Sequence, residues 1–272
     1  MDEMKLRGFV TPEDFSGSDT EKLQSAIDTA KEKDICKVII KGDLKTEKTI
    51  VLPPLMHIVL DGVAISAAGD FPIFANSNFY ADKFHHSYSF IEDMFFIEGA
   101  GTINGNIDFY NAYRVVIQNI EINGSLGFEF TTEVRLDNLK INGDTAINIK
   151  RGSNNFIVEH LSVTAKGIGI LLDTKETETD YVIGKEAGID EIIIKDCEIK
   201  APRAIAMEAD SDGAIFNTVI DNIKTDGTGL TVSKRQGELL PELYRDITAT
   251  NFISKKAEPI KLYSKTKHCY FS

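Results

Sequence analysis

The chain has 272 residues with a hydrophobic fraction of 42% and a charged fraction of 26%, the balance of an ordinary water-facing globular protein. Its formal charge of −12 argues against a nucleic-acid partner, because nothing offsets the approach of a polyanion. Three scattered cysteines (Cys36, Cys197, Cys269) make neither a disulfide framework nor a metal knuckle. No stretch is long and apolar enough to span a bilayer, and the first residues lack the apolar core of a leader. As written the chain therefore reads as cytoplasmic, or as extracellular if a leader has been trimmed away.

In chain order, DTEKLQSAIDTAKEK (19–33) is predicted to be a helix, with Leu23, Ile27 and Ala30 on one face and Asp19 as its cap. Strand-like KVIIKG, TIVL and HIVLDG follow between residues 37 and 62. The aromatic-rich tract 71–90, which holds His85 and His86, reads as a loop that packs on the core, covers a sugar or meets another subunit.

From residue 117 an internal repeat appears. IQNIEIN (117–123), LDNLKIN (136–142), VEHLSVT (158–164), IKDCEIK (194–200), IDNIKTD (220–226) and YRDITAT (244–250) align without gaps. Their first, fourth and sixth positions are mostly apolar. The third forms a polar column of Asn119, Asn138, His160, Asp196, Asn222 and Asp246. Cys197 falls on an apolar position and reads as a buried thiol, and His160 reads as a structural member of the ladder.

Alternation of period two marks strands with one buried face. Repetition about every 22 residues stacks equivalent positions roughly 4.8 Å apart, the spacing of paired strands. A second short strand follows each segment: GFEF (127–130), AINI (146–149), GIGI (167–170), AIAM (204–207) and GLTV (229–232). A helical solenoid fails on the apolar period and the recurrent Gly. The expected fold is an all-β, single-stranded right-handed parallel β-helix with a short N-terminal capping helix. It forms one domain over 1–272, with cap and first strands over 1–62, regular coils over 93–253 and the end of the stack over 254–272. An insertion over about 173–188 should form an exposed loop at one end of a groove.

Three stretches, DFSGSDTEKLQSAIDTA (14–30), KTIVLPPLMHIVLDGVAISAAGDFPIF (48–74) and FIEGAGTINGN (96–106), resemble the polygalacturonase-like glycoside hydrolases of family 28 among the pectin-lyase-like β-helices. The resemblance implies a groove for uronate-containing polysaccharide, with acid and base carboxylates before the groove-facing strand. Carried over position by position, the catalytic motifs are missing. Asn-Thr-Asp falls on Gly143-Asp144-Thr145, Asp-Asp on Ala165-Lys166, Gly-His-Gly on Pro202-Arg203-Ala204, and Arg-x-Lys on Thr231-Val232-Ser233.

What the groove offers instead is a rearranged set. Asp173, Glu208 and Asp210 lie on adjoining coils as candidate catalytic acids or, equally, as a solvated acidic rim. No cofactor is expected, although Ca²⁺ is the ion this group would suit. Lys166 and Arg203, assigned to one turn column, would hold an anion between them or else pair with Asp144 and Glu208. Together with Asp144, Lys234 and Arg235 they make the candidate substrate-binding set. The expected partner is a polysaccharide or oligosaccharide, with no nucleic acid or membrane and with a homo-oligomer allowed. A carbohydrate-active enzyme and a non-catalytic glycan-binding or structural β-helix both remain open.

Overall fold

A computed structural model describes residues 3–79, 92–175, 188–209, 213–233, 243–256, 259–264 and 266–272. The chain winds as a right-handed parallel β-helix, each turn contributing strands to three parallel sheets. Sheet A runs from Lys37–Ile40 through Met56–Leu60, Glu92–Gly99, Ala112–Gln118, Thr132–Asp137 and Asn154–Glu159. It continues through the first halves of Asp190–Lys200, Ile215–Thr225 and Tyr244–Ser254 to Tyr270–Phe271. Sheet B includes Leu44–Thr46, Thr102–Asn104 and Glu121–Asn123. Sheet C includes Asn106–Tyr110, Leu126–Glu129, Arg203–Glu208, Thr228–Val232 and Ile260–Leu262. Lys140–Lys150 and Ser162–Asp173 bend continuously from sheet B into sheet C.

The inward residues form one column of Ile, Val, Leu and Phe, so each turn buries the next. Phe109 and Phe128 stack with ring centroids 6.0 Å apart, and Phe128 meets Phe156 edge-on at 5.4 Å. Sheets A and B alternate buried and exposed residues. Sheet C differs, because strands such as Leu126–Glu129 and Thr228–Val232 are buried on nearly every position. Its outer face is therefore less exposed than those of sheets A and B, with Asn148, Lys150, Leu171, Asp173 and Glu208 half-buried.

Helix α1 covers Glu3–Arg7 and α2 covers Asp19–Glu32. The cap of α2 is Ser18, one residue before the expected Asp19. Glu21 N–H donates to Ser18 Oγ at 3.3 Å, while Ser18 N–H donates to Glu21 Oε2 at 2.8 Å, a reciprocal capping box. Asp19 instead accepts from Lys45 N–H at 2.9 Å. Leu23, Ile27 and Ala30 are fully buried against the first coil. No helix among the described residues is long and apolar enough to cross a membrane.

The polar column is a ladder of left-handed residues. Asn119, Asn138, His160, Asp196 and Asn222 all have φ between 51° and 59°. Asn138 Nδ2 donates to Asn119 Oδ1 at 2.8 Å and Asn222 Nδ2 to Asp196 Oδ1 at 2.6 Å. The sixth segment needs correction. Ile220 pairs with Ala249 and Ile223 with Phe252, so the sixth rung is Asn251, not Asp246. Asp246 belongs to a second left-handed column, five residues earlier in each turn, with Arg114, Glu133, Asn155, Glu191 and Asn217.

Candidate functional site

The corner from sheet B into sheet C is built by a motif that recurs three times: Ile103-Asn104-Gly105-Asn106, Ile122-Asn123-Gly124-Ser125 and Ile141-Asn142-Gly143-Asp144. The glycines let adjacent turns close on each other. A Cβ on Gly124 would lie 2.2 Å from the Gly105 carbonyl oxygen, and one on Gly143 2.4 Å from that of Gly124. The asparagines form a second amide ladder. Asn142 Nδ2 donates to Asn123 Oδ1, and Asn123 Nδ2 to Asn104 Oδ1, each at 2.8 Å. The ladder fixes every amide, while an inner amide such as Asn123 still has one N–H and one oxygen lone pair to present outward. Beside it lies an open trough of about 540 Å³, lined by Asn106, Asn123, Ser125, Asn142, Asp144 and Thr145 among others.

Asp144 and Lys166 flank this trough as an exposed ion pair at 3.0 Å. Lys166 does not stack on Arg203. The residue level with Arg203 is Ile168, because Ser162–Asp173 has one extra residue at the bend. Arg203 instead donates to Glu208 Oε1 at 3.0 Å. The like-charge column expected from the sequence is thus absent, and with it the argument for an anion held between the two.

The opposite rim of sheet C is one register column: Glu129, Lys150, Asp173 and Glu208. Lys150 pairs with Asp173, and Asp173 with Glu208, in neighbouring strands. Asp173 is thus level with Glu208 on the neighbouring coil. Lys150 Nζ lies 3.7 Å from the buried Glu129 Oε2, and Asp173 Oδ1 accepts from Lys175 N–H at 2.9 Å. Fully buried Arg151 backs this rim, its guanidinium 5.3 Å from the Phe130 ring centre. Asp210, Lys234 and Arg235 lie outside the described residues, as do His85 and His86.

Between the rims the floor is Asp108, Gly127, Asn148, Leu171, Ala206 and Thr231. Ala206 and Thr231 are buried, while Asn148 and Leu171 are half-buried. Asn148 Oδ1 is buried and has no hydrogen-bond partner among the described residues. A polar atom left in that state costs free energy until something donates to it.

A further charged cluster lies on sheet A, where ligand atoms of Asp137, Glu159 and His160 fall within 4.8 Å of one another. Its acids are already matched. Arg135 and Lys195 contact Glu159 at 2.8 and 2.9 Å, and His160 Nδ1 lies 2.9 Å from Asp137 Oδ1. The bond to His160 holds the Asp137 carboxyl below its ordinary range, and the same bond raises His160. This is a salt-bridge network in which Arg135, Lys195 and His160 already neutralise the two carboxylates.

The arrangement over sheet C can therefore orient a hydroxyl-rich ligand with fixed amides on one side and paired charges on the other. No protein-family model matches the chain, and no curated protein does. Solved structures do. A variant tailspike protein of E. coli bacteriophage HK620 is 10% identical over 97% of this chain and 56% of its own, with a TM-score of 0.69. The chain thus spans little more than half of that tailspike. Another variant of the tailspike, in complex with pentasaccharide, is 11% identical over 98% of this chain and 67% of its own, with a TM-score of 0.54. PfbA, a surface adhesin of Streptococcus pneumoniae, is 11% identical over 96% of this chain and 91% of its own, with a TM-score of 0.50. The right-handed parallel β-helix is what they share. At these identities the likeness carries fold and nothing finer.

Proposed function

We propose that the protein recognises an oligosaccharide or polysaccharide chain lying over sheet C, between the amide corner and the charged rim. The observation that carries this reading is the repeated Ile-Asn-Gly corner, where the interlocked Asn104 and Asn123 amides each keep a donor and an acceptor one strand spacing apart and Asn142, whose nitrogen also donates to Glu121, keeps its oxygen. Vicinal hydroxyls of a sugar take one donor and one acceptor each, and a fixed amide column loses little entropy in meeting them. Asn148 Oδ1 on the floor adds an acceptor that a ligand hydroxyl would satisfy. The pentasaccharide bound by one fold neighbour supports the same class of ligand. The resemblance to family 28 supports a uronate-containing glycan, with Asp144, Lys166 and Arg203, and Lys234 and Arg235 outside the described residues, as polar contacts.

Catalysis is the second reading, and one observation favours it: Asp173 and Glu208 share a register position in adjacent strands. Glycoside hydrolysis needs two carboxyl groups at about 5–9.5 Å, one of them carrying a proton. Glu208 is held by the Arg203 guanidinium at 3.0 Å.

A glycan array followed by calorimetry on the best ligand tests the reading. Asn123→Leu and Asn142→Leu should each weaken binding about tenfold or more and leave folding intact by circular dichroism. Retained affinity in both would rule out the corner. Reducing-end release or new ultraviolet absorbance from an unsaturated product, lost in Asp173→Asn and Glu208→Gln, would establish the enzyme instead. A Ca²⁺ dependence removed by the same two variants would place the ion at that rim.

A further inference from the structure

Sheet A presents an outer face of its own, away from the trough. Its central outward column runs in register through Phe96, Val116, Arg135, Ile157, Ile193 and Val219, one residue per turn. All but Arg135 are apolar. Ile193 and Val219 are 38% and 43% exposed, and Phe96, Val116 and Ile157 are half-buried. The Arg135 guanidinium is drawn aside, 2.8 Å from Glu159 and 3.2 Å from Asp137. Strand preference does not explain this column. On the same turns the matching outward column of sheet B reads Glu121, Lys140, Ser162, Glu198 and Lys224. Strands there pair equally well with polar side chains, so the fold does not require an apolar spine on sheet A.

Carboxylates border the exposed part of the spine. Asp190, Glu191, Asp196 and Asp221 lie within three residues of Ile193 or Val219, and Lys195 is the base in the same stretches. Lys195 is already 2.9 Å from Glu159, and Arg245 on the next turn lies over the Phe216 ring at 4.6 Å. Neutral groups orient the acids. Asn217 Nδ2 donates to Asp190 Oδ1 at 2.8 Å and Asn222 Nδ2 to Asp196 Oδ1 at 2.6 Å. Thr250 Oγ1 and Asn251 Nδ2 donate to Asp221 Oδ1 at 2.6 and 2.7 Å, and these bonds hold its carboxyl below the ordinary range. Such donors fix a carboxylate in place and leave its charge uncancelled.

An apolar line with fixed anions beside it selects its occupant by charge. A second copy offering the same face brings the same acids and is repelled, and a basic segment is attracted. We infer that sheet A docks a basic amphipathic helix of a partner protein, laid along the rod axis with its apolar face on the Phe96-to-Val219 spine. The two periods agree. Rungs of the spine follow one another at about 4.8 Å, and an α-helix advances about 5.4 Å per turn. Apolar side chains at i, i+3, i+4 and i+7 therefore fall near successive rungs. The spine is about 24 Å long at that rung spacing, the length of a helix of about 16 residues. Lys and Arg beside the apolar stripe would meet Glu191 and Asp221. A cationic glycan would meet the acids but would leave Ile193 and Val219 without an apolar partner.

The test is fluorescence anisotropy on the full chain with a labelled helical peptide of that length, built from Leu and Lys at this spacing. Companion peptides scramble the same residues so that no apolar stripe forms, or carry Glu for Lys. Binding should be weakened about tenfold or more by either companion change and by each double variant, Ile193→Ser/Val219→Ser and Glu191→Gln/Asp221→Asn. All four side chains face outward, so both variants should keep their fold by circular dichroism. No binding of the amphipathic peptide, or equal binding of the scrambled one, would overturn the helix. Indifference to either double variant would overturn the assigned surface. A chitosan oligomer that binds where the peptide does not, and that is lost in Glu191→Gln/Asp221→Asn, would replace the helix by a cationic glycan. A peptide-free dimer in sedimentation velocity, abolished by Ile193→Ser/Val219→Ser, would replace the partner by a second copy.

Discussion

Cys197 sits in the wall between two turns, and burial pushes its thiol up to about 12. A thiolate is the reactive species, so Cys197 should resist alkylation in the folded protein while the half-buried Cys36 and Cys269 react first. Mass mapping after brief labelling checks the order. His160 makes a pH-dependent prediction. Its pKa is raised by Asp137, so its contribution to stability is complete below the unfolded value near 6.5 and is lost as pH rises through the folded one. Asp137 is lowered, and its contribution is lost as pH falls through a value below 3.8. The pair therefore stabilises between those limits. His160→Asn should lower the melting temperature more at about pH 5.5 than at about pH 8.5, and a uniform shift would refute the coupling. At this scale the sequence was readable for Cys197 and His160, whose slots in the repeat dictate burial and ladder membership. It was not readable for Asp173, because a slip of two residues along a strand keeps every side chain on its own face. Periodicity cannot detect that slip, and only pairing with Lys150 and Glu208 fixes the column.

The elements divide between those defined by apolar pattern and those defined by close backbone approach. Phe128 is fully buried between Phe109 and Phe156. Phe128→Ala should cost about 3–5 kcal/mol, read by denaturant unfolding. Gly124→Ala acts through backbone rather than cavity, since its Cβ would strike the Gly105 carbonyl. It should cost about 2 kcal/mol or more and weaken glycan binding, because the Asn104–Asn123 contact separates with the corner. The three Ile-Asn-Gly repeats were in plain view as a signal for that corner, more regular in spacing than the repeat that betrayed the fold. The misplaced sixth segment has a related cause. Tyr244-Arg-Asp-Ile and Ala249-Thr-Asn-Phe share one local pattern, an apolar residue, a left-handed polar one and an apolar one. Each turn contains that pattern at two bends, so gap-free alignment alone could not choose between them.

The whole molecule is a rod whose turns contact only their neighbours, so stability accumulates turn by turn. The first described coil relies on α2, whose Thr20 and Gln24 side chains pair with the Glu47 and Val51 backbone. Leu23→Ala in α2 should cost about 2–5 kcal/mol and expose the first strand edges, giving concentration-dependent association in sedimentation velocity. Soluble monomer at every concentration would show that the cap contributes packing alone. The overall architecture was legible because every turn repeats one statement of the pattern. The groove was not, because its floor of Asp108, Gly127, Asn148, Leu171, Ala206 and Thr231 is assembled by strand register, which the repeat does not fix. Equivalence of turns has one more consequence. Asn104, Asn123 and Asn142 follow one another at intervals of 19 residues, so excising residues 104–122 would join chain ends that already occupy matching places. The product should be a shorter trough on an intact rod. Length of ligand would then be a quantity the gene can adjust by whole units, as a ruler is cut at its graduations.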